Sequence, residues 1–413
     1  MLALYALLTL QAATATDYRD DFDLLSSALQ QNGAYVVEDK IDFPALSKKY
    51  RPLFSSVSDR NQLLKLWEAY MGELHDFHAT LGSNNDASPR LVPSGADIFA
   101  SWKNGHAIVD QVRAGSLAEK AEVGPEDEIL AIGGLPVRQA AAQWLSGVNP
   151  NSRAWNWGLN SALAGRWNQI RTFTLRHNGV ERKVRMHTAL EQQYTSRVTV
   201  VIRADHVLYI RPENSLGQDG LISDFDHLVP QMRASHGIVL DLRNTPSGGT
   251  STVARGIMGL FISSRLPYQR HRVDERGTDT VRDWVEYATP RLAQPVTQKL
   301  VVLVGRWTGS MGEGMAIGFD AMKRATVVGT RMAGLRGAVD SIELPKSHIR
   351  VFFPVEQVFH LDGTPRHEWV PPVGIDAGPG DRPGDRWWAP AMEVLQRKAK
   401  AGTSISRAVQ GGQ

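Results

Sequence analysis

The sequence predicts an α/β protein with a largely parallel sheet, and three features lead to this prediction. From about residue 198 onward, short apolar strands alternate with helical stretches. The strands at 237–241 and 300–304 are apolar at consecutive positions, which is typical of strands buried on both faces. Helical periodicity over 18–81 and a strand-rich stretch over 90–190 precede this region. We therefore expect two smaller units ahead of an α/β core, and a surface excursion from this core over the polar and charged residues 265–289.

The composition bounds the size of the protein and excludes several chemistries. A chain of 413 residues is long enough for two or three domains. The 46 Lys and Arg residues exceed the 43 Asp and Glu residues by only three, and no long basic run interleaves with aromatic residues, so nucleic-acid binding is not predicted. The chain has no cysteine, which excludes disulfides, a thiolate nucleophile and thiolate metal ligands. A covalent mechanism would need a different nucleophile.

The first 15 residues are predicted to be a signal peptide. They are apolar and end in Ala13-Thr-Ala15, a small-x-small pattern, directly before the charged stretch that begins at Asp17. The lack of a positive residue near Met1 leaves a plain N-terminal helix or a misplaced start codon as alternatives. The segment is too short to span a membrane, and no later run reaches the ~18 apolar residues that a membrane helix needs. We expect an exported protein, either periplasmic or secreted.

Residues 16–89 are predicted to form a helical N-terminal domain. Its last helical stretch is followed by two histidines, His75 and His78, on either side of Asp76 and Phe77. Two imidazoles at i and i+3 without a third ligand are a poor metal site, so no metal is expected here. A structural role is the expectation for His75.

Residues 90–190 resemble a PDZ domain. The resemblance rests on the helix entry Gly115-Ser-Leu-Ala118, on the strand and turn over 126–134, and on a predicted hairpin with Asn178-Gly179 as its turn. PDZ domains bind an extended peptide as an added strand and hold its terminal carboxylate, so the implied partner is a polypeptide C-terminus bound near 91–99. The Trp-rich stretch at 144–168 has no counterpart in a minimal PDZ domain and receives no assignment.

Ser310 is the candidate nucleophile. It lies where the apolar strand ending at Val304 gives way to a helical pattern that begins at Met311. The first N–H groups of a helix lack intrahelical partners and favour negative charge, so an oxyanion formed at Ser310 would find donors. The same letters also fit a plain N-cap serine with Glu313 closing a capping box, and the residues alone leave both interpretations open.

Four motifs in sequence order resemble the tail-specific, or C-terminal-processing, and tricorn-core serine peptidases. They are the strand and glycine turn of 237–249, the Ser310 segment, residues 327–337, and Asp362-Gly leading to Gly374-Ile-Asp376. The resemblance covers roughly residues 60–380. It implies a ClpP/crotonase-like α/β catalytic core over 191–396, followed by a flexible tail over 397–413. It also implies polypeptide substrates and neither a metal nor an organic cofactor.

The resemblance also implies site residues. One branch of the family activates its serine with a lysine in a Gly-Lys-Gly step, but Leu335 and Arg336 stand at this step here, and a guanidinium does not accept a proton at neutral pH. The other branch uses Ser, His and Glu, and the matching residues are Ser310, His78 and Glu368. An accessory serine of that branch is replaced by Phe77.

The implied oxyanion hole combines the N–H of Met311 with an N–H from the turn of Gly248 and Gly249. The leading prediction is therefore an exported serine endopeptidase that acts on unfolded or tail-tagged proteins. The alternative is a catalytically weak scaffold that binds peptides or small ligands through its PDZ-like unit. The distance between Ser310 Oγ and His78 Nε2 distinguishes the two predictions.

Overall fold

The computed structural model of the chain describes residues 15–145, 151–187, 194–278, 280–375 and 385–397. The predicted signal peptide, apart from Ala15, lies outside the described residues. So do Asp376 of the closing motif and the predicted tail beyond residue 397. None of the helices in the described ranges has the length and apolarity needed to cross a membrane.

The N-terminal part is helical, as predicted. Its elements are α1 (Arg19–Asn32), α2 (Phe43–Tyr50), a short 3-10 helix (Arg51–Ser55), α3 (Arg60–Gly72) and the two-residue strand β1 (Thr80–Leu81). The side chains of Asp42 and Asp59 cap α2 and α3 by accepting backbone N–H groups. Phe22 and Trp67 belong to an apolar core that continues into Val351 of a strand near the other end of the chain, so these helices pack on a sheet rather than standing alone.

The middle unit is built on an antiparallel sheet. Its elements are β2 (Ile98–Lys103), β3 (His106–Val112), α4 (Leu117–Lys120), β4 (Glu128–Ile132), β5 (Leu135–Pro136), α5 (Val137–Ala142), α6 (Ser152–Ala164), β6 (Arg171–His177) and β7 (Val180–Met186). The strand order is β2-β3-β4-β6-β7, and β5 pairs with β4. The predicted hairpin is confirmed, because Asn178 and Gly179 join β6 to β7 with φ values of 47° and 81°. The unassigned Trp-rich stretch contains α6, whose Asn160 side chain bonds both backbone groups of Ala100 in β2.

The α/β core follows and completes the chain. Its elements are β8 (Val198–Ile202), β9 (Val207–Pro212), α7 (Gly220–Ala234), β10 (Gly237–Asp241), α8 (Ser251–Met258), β11 (Leu266–Glu275), β12 (Thr280–Ala288), β13 (Leu300–Val304), α9 (Met311–Ala321), β14 (Thr326–Gly329), β15 (Ala338–Glu343), β16 (Arg350–Phe359), β17 (Val373–Gly374) and α10 (Asp385–Gln396). One sheet has the order β17-β14-β13-β10-β9-β8 and is parallel except for β8. Every residue of β10 and β13 is buried, as their apolar runs predict. The predicted α/β class with a largely parallel sheet is confirmed.

A second sheet differs from the prediction for residues 265–289. Their polar composition predicts a surface excursion, but they form the long hairpin of β11 and β12 in a sheet of order β1-β16-β11-β12, with β15 on β16. Tyr268 and Gln269 of β11 are buried, whereas the exposed pair Arg270 and Asp283 bridges the hairpin on its solvent side. Because the outward positions of these strands are charged, the overall composition of the segment is polar and does not indicate a strand.

The two sheets bring three separate stretches of chain to one place. Asp241 pairs with Leu303, so the carboxyl ends of β10 and β13 lie side by side and the turns that follow them are neighbours. The turns are tied together by a parallel bridge between Thr245 and Thr308. Strand β1 pairs with β16 and carries the residues just before it, including His78, to the same region.

Candidate active site

Ser310 lies in a strained backbone conformation at the N-cap of α9. Its φ of 49° and ψ of −111° are rarely adopted by residues with a side chain, and such strain concentrates at functional sites. Glu313 stands at the third helical position and its carboxylate accepts the N–H of Ser310 at 2.8 Å. The capping-box interpretation is therefore confirmed, and it does not conflict with a catalytic role for the hydroxyl.

His78 faces Ser310 from the turn between α3 and β1. The turn is fixed by Asp76, whose side chain accepts the N–H of His78 at 2.9 Å. His78 Nε2 lies 3.0 Å from Ser310 Oγ, and His78 Nδ1 lies 2.6 Å from the carbonyl oxygen of Arg336. Because a carbonyl only accepts hydrogen bonds, Nδ1 carries the proton and Nε2 presents its lone pair to the Ser310 hydroxyl.

The environment of His78 keeps its imidazole neutral. Burial, and then the positive charge of Arg366, lower the pKa of His78 to about 4. At neutral pH the ring is thus an unprotonated base next to a serine hydroxyl. This is the protonation state that a serine nucleophile requires of its partner.

The structure does not bring Glu368 to His78. The Glu368 side chain is 65% exposed, and its carboxylate lies 3.9 Å from His367 Nε2. The position opposite His78 Nδ1, which the sequence-based triad gives to Glu368, is occupied by the carbonyl of Arg336. The turn that starts at Pro365 directs Glu368 to solvent and Arg366 to the interior, so Arg366 is the residue of this segment that contacts the site.

The segment that holds His78 comprises residues 334–337, which we name the base-holding loop. Glu313 accepts the N–H groups of Gly334 at 2.9 Å and of Leu335 at 3.2 Å. Arg366 donates to the carbonyl oxygens of Leu335 at 3.0 Å and of Gly337 at 2.5 Å. Two buried side chains therefore fix the backbone of the base-holding loop: Glu313 accepts its N–H groups, and Arg366 donates to its carbonyl groups.

The side chain of Arg336 anchors the same loop to the N-terminal part of the chain. Its guanidinium bonds Asp39 at 2.6 Å and Glu38 at 3.0 Å and stacks on Tyr35 at 3.7 Å from the ring centroid. Arg336 is buried and keeps its charge, so it is not a general base, as predicted. Its contribution to the site is its main-chain oxygen.

The predicted oxyanion hole needs one correction. The N–H of Gly248 donates to the carbonyl of Thr245 at 3.1 Å and so is used within its own turn. Gly248 instead provides space, because a Cβ at this position would lie 2.4 Å from the Cβ of Ser310. Gly249 lies opposite Leu216 in a parallel bridge, in which Leu216 bonds the carbonyl of Gly248 and the N–H of Thr250. In such a bridge the N–H of Gly249 itself points away from Leu216. Met311 is the first residue of α9, where N–H groups have no intrahelical acceptor.

The second histidine of the N-terminal segment has different surroundings. His75 packs edge-on against Trp157 with ring centroids 5.2 Å apart, and burial lowers its pKa. Within the described ranges, no group of three or more His, Asp or Glu residues is arranged to hold a metal ion. Both ring nitrogens of His78 are hydrogen-bonded, Nδ1 to the carbonyl of Arg336 and Nε2 to the hydroxyl of Ser310.

The geometry of Ser310 agrees with a family match in sequence. Residues 207–375 match the profile of peptidase family S41. They are an S41 peptidase domain. The S41 domain includes Ser310, Glu313, Arg336 and Arg366, whereas His78 reaches the site from outside it. The chain is therefore a peptidase, and it has no match among curated proteins.

Solved structures resemble the chain over nearly its whole length. The photosystem II D1 C-terminal processing protease has a TM-score of 0.55 at 20% identity, over 90% of this chain and 95% of that chain. Mature CPAF in complex with lactacystin has a TM-score of 0.59 at 14% identity, over 92% and 96%. A presumed peptidase from Parabacteroides merdae has a TM-score of 0.57 at 15% identity, over 94% and 100%. These similarities show that the fold is that of the predicted peptidase class.

Sequence reasoning missed three parts of this site. The sequence identifies Arg336 only as a residue that cannot replace a lysine, and Glu313 only as a capping residue. It gives no indication of a role for Arg366. The glycines at 334 and 337 mark a tight loop, but a main-chain carbonyl has no side-chain signature. Its role becomes visible only when the loop and His78 are placed together.

Proposed function

We propose that this peptidase is a serine endopeptidase in which Ser310 is the nucleophile and His78 is the general base. The observation that carries the proposal is the 3.0 Å distance between Ser310 Oγ and His78 Nε2, with His78 held in the required tautomer by Arg336. This contact favours a catalyst over the alternative of a catalytically weak scaffold, because a binding scaffold has no need of a neutral imidazole aimed at a strained serine.

The mechanism follows from the positions of these groups. Ser310 Oγ attacks the peptide carbonyl carbon while its proton passes to His78 Nε2, and the resulting imidazolium gives this proton to the leaving amine. Water then attacks the acyl carbon and gives a proton to His78 Nε2, and the bond from the acyl group to Ser310 Oγ breaks as the imidazolium returns this proton to Ser310 Oγ. The Nδ1–H bond to the carbonyl of Arg336 keeps the ring in place during both transfers. The N–H groups of Met311 and Gly249 are the proposed donors to the oxyanion.

Replacing the two reacting side chains tests the proposal. Ser310→Ala should abolish hydrolysis of a fluorescein-labelled unfolded protein, and His78→Ala should lower the rate by about 10³-fold or more, because each removes a group that acts only in the transition state. Both variants should keep their circular dichroism spectrum. Unchanged turnover in Ser310→Ala would refute the nucleophile assignment.

Matched lysine variants test the choice of base. Lys323→Met and Lys346→Met remove lysines of the S41 domain and should leave the rate unchanged. Lys323 is paired with Asp320 on the surface, so it does not share the surroundings of Ser310. A dead lysine variant beside an active His78→Ala would place the chain in the lysine-dependent branch.

We further propose that the natural substrates are polypeptides presented by their C-termini to the middle unit. The support is the resemblance of residues 90–190 to a PDZ domain, together with the similarity of the fold to a protease named for C-terminal processing. The middle unit contacts the segment just before Ser310, since Asp110 pairs with Arg306 at 2.6 Å. A substrate end bound there would be close to the nucleophile.

Export is proposed with cleavage after Ala15. Thr16 is the next residue, and its N–H donates to the carbonyl of Val57 at 2.9 Å, a bond that a new terminal amine could also make. The mature protein from its native host should therefore begin at or near Thr16. N-terminal sequencing of this protein would contradict export if it returned Met1.

A further inference from the structure

Glu313 connects the two halves of the proposed dyad. Its carboxylate accepts the N–H of Ser310 at 2.8 Å and the N–H groups of Gly334 and Leu335 at 2.9 and 3.2 Å. Two residues beyond Gly334, the base-holding loop presents the Arg336 carbonyl to His78 Nδ1. One side chain is thus bonded both to the nucleophile's own peptide group and to the loop that orients the base.

The carboxylate is well placed for this task because its surroundings are closed. Glu313 has no solvent exposure, and its three hydrogen-bond partners within the described ranges are all backbone N–H groups. A hydrogen bond from an N–H group to an ionised carboxylate is about twice as strong as one to a neutral acceptor. Protonating either oxygen weakens at least one of these bonds, since the oxygens have only donors facing them.

We propose that Glu313 is a positioning residue, whose ionised carboxylate holds Ser310 and the base-holding loop in the relative positions that catalysis requires. The inference deepens the proposed function and rests on the Ser310 and His78 assignment. In the structure, the Arg336 carbonyl contacts His78 and Glu313 fixes the carbonyl's loop. The orienting role that a triad gives to one carboxylate is therefore divided between a main-chain oxygen and a buried carboxylate that does not touch the imidazole.

Ionisation of Glu313 also changes the electrostatics of the dyad. A buried negative charge near His78 favours the imidazolium that forms when Ser310 attacks. Arg366, from the segment after β16, and Arg306, from the loop before α9, carry the positive charges that act on Glu313. His78 is the titratable group on its other side, beyond Ser310.

The pH dependence of activity follows from this arrangement. Burial raises the pKa of the Glu313 carboxyl to about 7, whereas His78 has a pKa of about 4. If ionised Glu313 is required, the rate should fall on the acid side near pH 7, well above the pH at which His78 itself becomes protonated. The acid limb of the profile would then report Glu313 rather than the base.

The test uses the rate at which a fluorophosphonate probe labels the full-length protein from about pH 5 to about pH 9. In this reaction the Ser310 Oγ–P bond forms, the P–F bond breaks with loss of fluoride, and the hydroxyl proton passes to His78. The wild type should show an acid limb near pH 7. Glu313→Gln keeps the shape but removes the charge and one acceptor, so its plateau should be roughly 10- to 100-fold lower and the limb near pH 7 should be absent.

The matched control is Glu368→Gln, the same chemical change at the exposed carboxylate of the sequence-based triad. It should keep the wild-type plateau and limb. A Glu313→Gln variant that retains the limb near pH 7, or a wild-type limb that lies near pH 4, would overturn the role of Glu313. If Glu313→Gln does not fold, as judged by circular dichroism, the position of the wild-type limb decides alone.

Ser310→Ala keeps this outcome separate from a failure of the proposed function. Labelling that survives in Ser310→Ala would show that another residue is the nucleophile. Loss of labelling in Ser310→Ala, combined with an unchanged pH profile in Glu313→Gln, would leave the serine mechanism in place and remove only the inference about Glu313.

Discussion

At the scale of single residues, His78 and Glu313 have pKa values shifted in ways that should oppose each other in the pH dependence of stability. Folding lowers the pKa of His78 from 6.5 to about 4, so its contribution to stability is present above pH 6.5 and is lost as the pH falls toward 4. Folding raises the pKa of Glu313 from 4.5 to about 7, so its contribution is present below pH 4.5 and is lost as the pH rises toward 7. Each contribution to the free energy of unfolding amounts to roughly 3 kcal/mol, and the two nearly cancel in the pH range where both groups titrate.

Single variants should expose each contribution. His78→Gln should become less stable relative to the wild type as the pH rises from 4.5 to 6.5, because only the Glu313 term remains. Glu313→Gln should become more stable relative to the wild type over the same interval. Denaturant unfolding at the two pH values measures this, and all other titrating groups are common to the three proteins. Parallel pH dependences in the three proteins would contradict the assigned shifts.

The residues of the site show what a sequence can predict. Ser310 lies in a local pattern of its own, a strand that stops at small residues, whereas the sequence points to His78 only through its resemblance to the Ser-His-Glu peptidases. The structure brings the two side chains together. The motif points to Glu368, but Arg366, two residues earlier, is the side chain that faces inward. Which residue of a turn points inward depends on packing against distant segments, and a single sequence does not carry that information.

At the scale of elements, the turn after β10 is shaped to admit the nucleophile. Gly248 has a φ of 63° and no room for a Cβ, which would meet the Cβ of Ser310 at 2.4 Å. Gly248→Ala should therefore displace the strained serine and reduce labelling by the fluorophosphonate probe at least about 100-fold, in addition to a backbone cost of about 1 kcal/mol.

Gly105 supplies the matched control for this prediction. It has a φ of 85° in the turn between β2 and β3, and nothing lies within 4 Å of where its Cβ would be. Gly105→Ala should show a similar loss of stability, about 1 kcal/mol in denaturant unfolding, with full labelling. Equal labelling rates in the two variants would show that the close approach of Gly248 does not matter for Ser310.

At the scale of the whole molecule, the alternation of buried strands and helices was sufficient to predict the class of the core. The prediction failed for the β11 and β12 hairpin, whose outward positions are charged. The sequence also predicts separate units, whereas in the structure these units contact each other. Phe77, Phe99 and Trp307 come from the three parts of the chain and pack in one small cluster. Phe77, which the sequence resemblance aligns with an accessory serine, packs in the contact between units. Such contacts join residues far apart in sequence and have no local signal.

The last prediction concerns the link between the middle unit and the nucleophile. Arg306, four residues before Ser310, pairs with Asp110 of β3 at 2.6 Å, and both side chains are largely buried. Deleting the middle unit would also expose Trp307, so a point substitution is the better test. Asp110→Asn keeps the shape and removes the charge, which should loosen the middle unit relative to the S41 domain.

If the middle unit delivers polypeptide ends, Asp110→Asn should raise KM for a labelled unfolded protein several-fold and leave kcat for a short ester almost unchanged. Tethering raises the effective concentration of a long substrate at the nucleophile but supplies no contact in the transition state. Lys103→Met is the control, because Lys103 pairs with Asp110 at 3.4 Å from within the middle unit and has no part in the link to Arg306. Equal losses on the two substrates in Asp110→Asn would mean that the middle unit only supports the fold around Ser310, since a short ester gains nothing from a bound C-terminus.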